Sequence, residues 1–164
     1  MATSHKTTAR GGADLAEIRS RIRSGRRQGH FYVALLGLRT YQPLALIELV
    51  RQGFRYSTFV RFQRNTNLPL AALSELTRIS TRTLNRRKEE GRLDPEESDR
   101  LLRASRVFGR ALELFEGDDE AARDWLSSEL PALGGSAPLE LAKSEVGASE
   151  VESLIGRLEH GIPS

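Results

Sequence analysis

The 164-residue chain has no cysteine, one methionine, one tryptophan and three histidines. Without cysteine there is no disulfide, no thiolate nucleophile and no cysteine-based zinc site. That usage fits a reducing compartment. His5, His30 and His160 are far apart, and none shares metal-ligand spacing with a second His, Asp or Glu. The longest apolar run, residues 31–38, is eight residues long, against the roughly 20 that span a bilayer. The first residues hold no apolar stretch of the signal-peptide kind. A soluble, cytoplasmic protein is expected. Gly134-Gly135-Ser136 is no phosphate loop, because it lacks the GxxxxGK[ST] pattern. No carboxylate pair stands out by spacing as an acid and a base. The expectation is a protein that is not an enzyme and needs neither cofactor nor metal. Period-2 alternation is also missing, so the fold should be all-α.

Charge is present, and it is unevenly placed. Residues 1–30 carry 7 basic and 2 acidic side chains, a net of +5. Residues 31–92 carry 11 and 4, a net of +7, and residues 93–164 carry 7 and 16, a net of −9. The overall +3 hides this asymmetry. It suggests a polyanion partner for the first part and a different partner for the second. Lys6, Lys88 and Lys143 are the only lysines. Arginine suits bidentate contacts to phosphate and guanine better than lysine does.

Three regions are expected: a basic and partly disordered N-terminal arm (1–30), a helix-turn-helix domain (31–93) and a small helical domain (94–164). In the arm, Leu15, Ile18 and Ile22 have helical spacing among arginines. Pro43 suits a helix first turn, followed by Leu44, Ile47 and Val50 as its stripe and Gly53 as its stop. Tyr56, Phe59 and Val60 fit another short helix, with the aromatics in the core. Asp94-Pro95 starts a long helix whose stripe runs through Leu101, Phe108 and Leu112 to Gly117. Asp118 or Asp119 caps the next, which carries Trp125. A brief helix over 138–143 should be broken by Gly147. Ser149 and Glu152 have capping-box spacing for a last helix, with Val151, Leu154, Ile155 and Leu158 on one face.

Residues 70–87 have the layout of a helix-turn-helix. Leu70, Leu73, Leu76, Ile79 and Leu84 would hold the pair together. Ser80 would cap the second helix and Gly91 would end it. A recognition helix sets its N-terminal residues against base edges, which makes Ser80, Thr81, Arg82 and Thr83 the candidate DNA end. Arg82 and Arg86 share a face and could read guanine through O6 and N7. Arg87 and Lys88 are expected on phosphate. Residues 78–88 hold five basic side chains and no acid. Most such turns have glycine where Arg78 stands. An arginine there costs about 1 kcal/mol if the backbone is left-handed.

The string Ile79-Ser-Thr-Arg-Thr-Leu-Asn-Arg-Arg-Lys88, with Leu93 and Asp94, resembles the helix-turn-helix of the Xre/MbcA/ParS antitoxins. The order Phe108-Gly109, Ala121-Ala122, Trp125-Leu126, Leu133-Gly134-Gly135, Pro138-Leu139, Gly147 and Gly161 is similar to that family's C-terminal toxin-binding domain. The resemblance runs from about Leu70 onward, more than half the chain. It implies a type II antitoxin that binds a toxin and represses its own operon. Toxins paired with this family most often carry the RES domain and consume NAD. The resemblance further implies that the last helix and tail obstruct the toxin's active site. Val151, Leu154, Arg157, Leu158, Glu159, His160, Ile162 and Ser164 would supply that contact. The −9 segment suits a basic partner surface. A homodimer is expected, because specific DNA binding usually takes two half-sites; the apolar segment 31–62 is one candidate for its surface. The alternative is a free-standing regulator with an acidic dimerisation or ligand domain, in which Phe108, Phe115 and Trp125 could line a site.

Overall fold

The computed structural model describes residues 15–25 and 30–162. Ten α-helices occur among them: α1 Leu15–Arg23, α2 Phe31–Leu35, α3 Pro43–Gln52, α4 Tyr56–Thr66, α5 Leu70–Thr77, α6 Thr81–Glu90, α7 Pro95–Leu114, α8 Asp119–Ser127, α9 Pro138–Leu141 and α10 Glu145–Glu159. The described residues hold two isolated β-bridges and no strand. The all-α expectation therefore stands, with a helix-turn-helix region before a helical C-terminal region.

The 20-residue α7 organises everything else. Its start is fixed locally. Asp94 Oδ1 accepts from the Glu97 amide at 2.7 Å, and Glu97 Oε2 accepts from the Asp94 amide at 2.9 Å. This reciprocal cap satisfies two donors that a helix end leaves open. From there α7 buries Leu101, Ala104, Val107, Phe108, Ala111 and Leu112. Helices α2, α3, α4 and α5 pack against it, and so do α8 and α10. Phe62 of α4 meets Phe108 edge-on at 6.4 Å between centroids. At Gly109 the backbone of α2 comes so close that a Cβ would lie 3.1 Å from the Tyr32 amide.

The first helix is docked onto the body of the protein. Ile18 and Ile22 are buried, and Arg19 pairs with Asp119 of α8. The expected N-terminal arm outside residues 15–25 and 30 lies beyond the described residues.

Several sequence readings of the helices need correction. On α3 the helix is right but its face is not: Leu44 and Ile47 are 83% and 45% exposed, while Leu46 is buried. Apart from Glu48, residues 44–50 are all apolar, so no periodicity singles out one face. Leu70 is likewise exposed, on the first turn of α5. At the other end, Gly147 does not break a helix, and Ser149 caps nothing. Helix α10 runs from Glu145, and Ser144 is its cap, accepting from the Gly147 amide at 3.1 Å. A Cβ on Gly147 would run into the Leu141 carbonyl. Its role is to let α9 and α10 meet at a tight corner.

Candidate nucleic-acid and partner interfaces

Helices α5 and α6 form the helix-turn-helix. Leu73, Leu76, Ile79 and Leu84 are buried and lock the pair together. The Ser74 hydroxyl donates to the Ile79 carbonyl and closes the turn. Arg78 lies in the left-handed region, with φ 54°. Ser80 caps α6, accepting from the Thr83 amide at 3.1 Å, and Gly91 ends it with φ 79°. Ser80, Thr81, Arg82, Arg86 and Lys88 are exposed, and Thr83 is half-buried. Among the described residues Arg82 and Lys88 have no carboxylate partner, and Arg86 reaches Glu90 only at 3.8 Å. Asn85 is also exposed, three residues after Arg82 and one before Arg86. Helical spacing alone would have added it to the candidates.

Arg87 is not a free phosphate contact. Its Nε and Nη2 grip both oxygens of Glu97, at 2.8 and 3.0 Å. Its Nη1 donates to Glu90 at 2.7 Å, and Nη2 also reaches Asp94 at 3.1 Å. The side chain is 14% exposed. The bond to Glu97, followed by the one to Glu90, raises its pKa further. Arg87 thus ties α6 to the capped start of α7. A second tie runs from the Arg100 guanidinium to the Thr77 carbonyl, which ends α5.

The C-terminal region shows a related division. Val151 and Leu154 are buried in the core beside Ile155, so they cannot face a partner in this fold. Glu159 is engaged by Arg110 Nη2 at 2.9 Å, and Arg157 lies 3.4 Å from Glu150. Leu158, His160 and Ile162 are exposed, as is Val146 near the start of α10. Gly156 has open space where a Cβ would go. Ser164 lies outside the described residues.

Much of the negative charge of residues 93–164 is spent internally. Arg103 meets Glu145 at 3.0 Å, Arg106 meets Glu145 and Glu152 at 2.8 and 3.0 Å, and Arg110 meets Glu113 and Glu159. All but Arg110–Glu113, which lies within α7, staple α10 along α7. The Arg106 bond holds the Glu145 carboxyl below the usual range. Among the described residues, Glu116, Asp118, Glu120, Asp124 and Glu129, in and around α8, have no basic partner. No group of three or more His, Cys, Asp or Glu among the described residues could hold a metal. No described helix is long and apolar enough to cross a membrane. Phe108 is core, and Phe115 and Trp125 pack on each other at 6.1 Å.

Residues 45–106 match the Antitoxin Xre-like helix-turn-helix domain, and residues 110–161 match the Antitoxin Xre/MbcA/ParS C-terminal toxin-binding domain. A protein of Yersinia enterocolitica named Antitoxin Xre is 38% identical over 128 residues, covering 77% of this chain and 86% of its own length. The chain belongs to the Xre antitoxin family. An Antitoxin Xre of Photorhabdus laumondii is 31% identical over 117 residues, 71% of this chain and 79% of that protein. A protein of Sphingobium named Prs ADP-ribosylating antitoxin is 24% identical over 156 residues, 90% of this chain and 98% of its own. Xre antitoxins are non-catalytic regulators, in keeping with the reading of the chain as no enzyme. The two matched domains make DNA and a toxin protein the general partners. Helix α7 joins them, for it starts inside the first match and ends inside the second.

Proposed function

We propose that this antitoxin neutralises a RES-domain, NAD-consuming toxin by covering its active site, and represses its own operon through α6. The observation that carries the toxin half is the outer end of α10. There Leu158, in the last turn of α10, and Ile162, three residues past its end, expose apolar surface at 41% and 52%, beside Arg157 and His160, where the toxin-binding match closes at residue 161. Val151 and Leu154 act one step back, by seating α10 on α7. The word ADP-ribosylating in the name of the Sphingobium relative supports the NAD part, since NAD is a common donor of ADP-ribose.

On the DNA side, Arg82, Asn85 and Arg86 read base edges, and Thr81 and Lys88 meet phosphate. A homodimer presents two copies of α6. Tyr41, Leu44 and Ile47, exposed together around α3, form the apolar surface beside the helix-turn-helix on which a second copy would pack.

Co-expression with the cognate toxin tests the main claim. Leu158→Glu with Ile162→Glu should leave cellular NAD depleted and growth arrested, while operator binding by the same variant is unchanged. Full neutralisation by that variant would sink the proposal for this end of α10. A toxin that arrests growth with NAD intact would remove the RES assignment but not the interface.

A further inference from the structure

Outside both interfaces, a groove of about 550 Å³ runs between α4 and the C-terminal end of α3. Four arginines line it, Arg55, Arg61, Arg64 and Arg92, and no carboxylate does. Arg55, Arg61 and Arg64 have no ion pair among the described residues. Glu48, on the neighbouring turn of α3, is taken up by the Gln52 amide at 3.0 Å. Arg61 lies across Gly37, where any Cβ would collide with it, so glycine keeps the loop low enough for the guanidinium to cross. Arg92 is held in place by the Gly53 carbonyl at 2.6 Å. Several unneutralised arginines around one concavity repel each other until an anion joins them.

An apolar strip floors part of the groove. Leu49 and Val60 line it, Val60 is unusually open for its type at 45%, and Phe54 beside them is buried at 2%. A DNA backbone gains nothing from an apolar floor, and a bare phosphate gains nothing either. A molecule with a flat apolar ring and a charged phosphate end uses both. The volume falls within the range of small-molecule sites.

We propose that this groove binds a phosphorylated small molecule of the nucleotide class, its ring on the apolar floor and its phosphates among the arginines. The site adjoins the far end of α6, because the Tyr56 amide donates to the carbonyl of Gly91 at 3.0 Å and the backbones of Arg55 and Arg92 form an antiparallel bridge.

The test is isothermal titration of the purified full chain with adenosine diphosphate, inorganic pyrophosphate, adenosine and a random-sequence DNA duplex. Saturable 1:1 binding of adenosine diphosphate is expected, tighter than pyrophosphate or adenosine. Arg61→Ala with Arg64→Ala should weaken it at least tenfold. Should the double variant unfold, Arg64→Glu at its exposed position should give a comparable loss. No saturable binding of adenosine diphosphate overturns the proposal. Pyrophosphate binding as tightly as adenosine diphosphate overturns the nucleotide class and leaves a plain phosphate site. If duplex affinity falls tenfold in the variant while the nucleotide does not bind, the groove is a DNA backbone track. In that case the helix-turn-helix reading survives and this one does not.

Discussion

The two halves of the molecule use the same residue for opposite purposes. In residues 93–164 all seven basic side chains reach a carboxylate. In residues 31–92, Arg51, Arg55, Arg61, Arg64, Arg78, Arg82 and Lys88 reach none among the described residues. Net charge alone would call the first half the binding half. Pairing is the sharper criterion, because a paired arginine serves the fold and an unpaired one is left for a partner. Arg87 shows why. It sits in the most basic stretch of the chain, yet it is bound to three acids on two sides.

The largest effect should come from breaking that exception. Arg87→Ala leaves Glu97 buried at 4% exposure without its main counter-charge. Removing one partner of a buried pair costs about 3 kcal/mol or more. Urea unfolding should show that loss. Retained stability with lost DNA affinity would make Arg87 a phosphate contact after all.

Arg82→Ala should behave in the opposite way. The side chain is exposed and has no ion pair among the described residues, so stability should move by no more than about 0.5 kcal/mol. Operator affinity should fall by about 1–3 kcal/mol, with relaxed sequence choice, whereas Lys88→Ala should weaken all sequences alike. If about six phosphates are neutralised, the log–log salt dependence of the intact protein should have a slope near −5. Band-shift titrations at several salt concentrations read all three. A slope near zero would remove the electrostatic basis of the comparison.

What could be read in advance was mostly local. Ser80, Gly91 and Asp94-Pro95 mark helix ends because caps act over three or four residues. What could not be read depends on distant neighbours. Gly147 looks like a breaker until the Leu141 carbonyl is seen above it. Leu44 and Leu46 are equally apolar, and only the position of α7 decides which is buried. Arg87 and Glu97 are ten residues apart, on different helices, so helix periodicity cannot pair them. The site was legible to the extent that exposed positions follow helical spacing on α6. On α10 the apolar stripe was legible as a core face, and the resemblance drew Val151 and Leu154 from that face into the partner contact.

A smaller effect tests the turn. Arg78 holds a left-handed backbone at φ 54°, which costs about 1 kcal/mol relative to glycine. Its side chain is exposed near the start of α6, with no ion pair among the described residues. Residues kept in strained backbone at a binding surface suggest a use for the side chain. Arg78→Gly should therefore raise stability by about 1 kcal/mol and lower DNA affinity, with the salt slope shallower by about 1. Gains in both would show that the strain has no return.

The smallest effect concerns the α7–α10 staple and acts through pH. Arg106 and Arg103 hold Glu145 below the ordinary glutamate range, against a burial penalty that acts the other way. The folded pKa is lower than the unfolded one, so the stabilisation is complete above about pH 4.3. It fades as pH falls through the folded value, when Glu145 takes up a proton and releases its arginines. Because Glu145 is 60% exposed, its share is below about 1 kcal/mol after solvent screening. Stability measured between pH 6 and pH 3 should fall less steeply in Glu145→Gln than in the parent. The difference should shrink in high salt, since exposed pairs are screened. An identical acid limb in both proteins would mean that the ladder orients α10 without stabilising it, and that pairing in this half serves geometry more than energy.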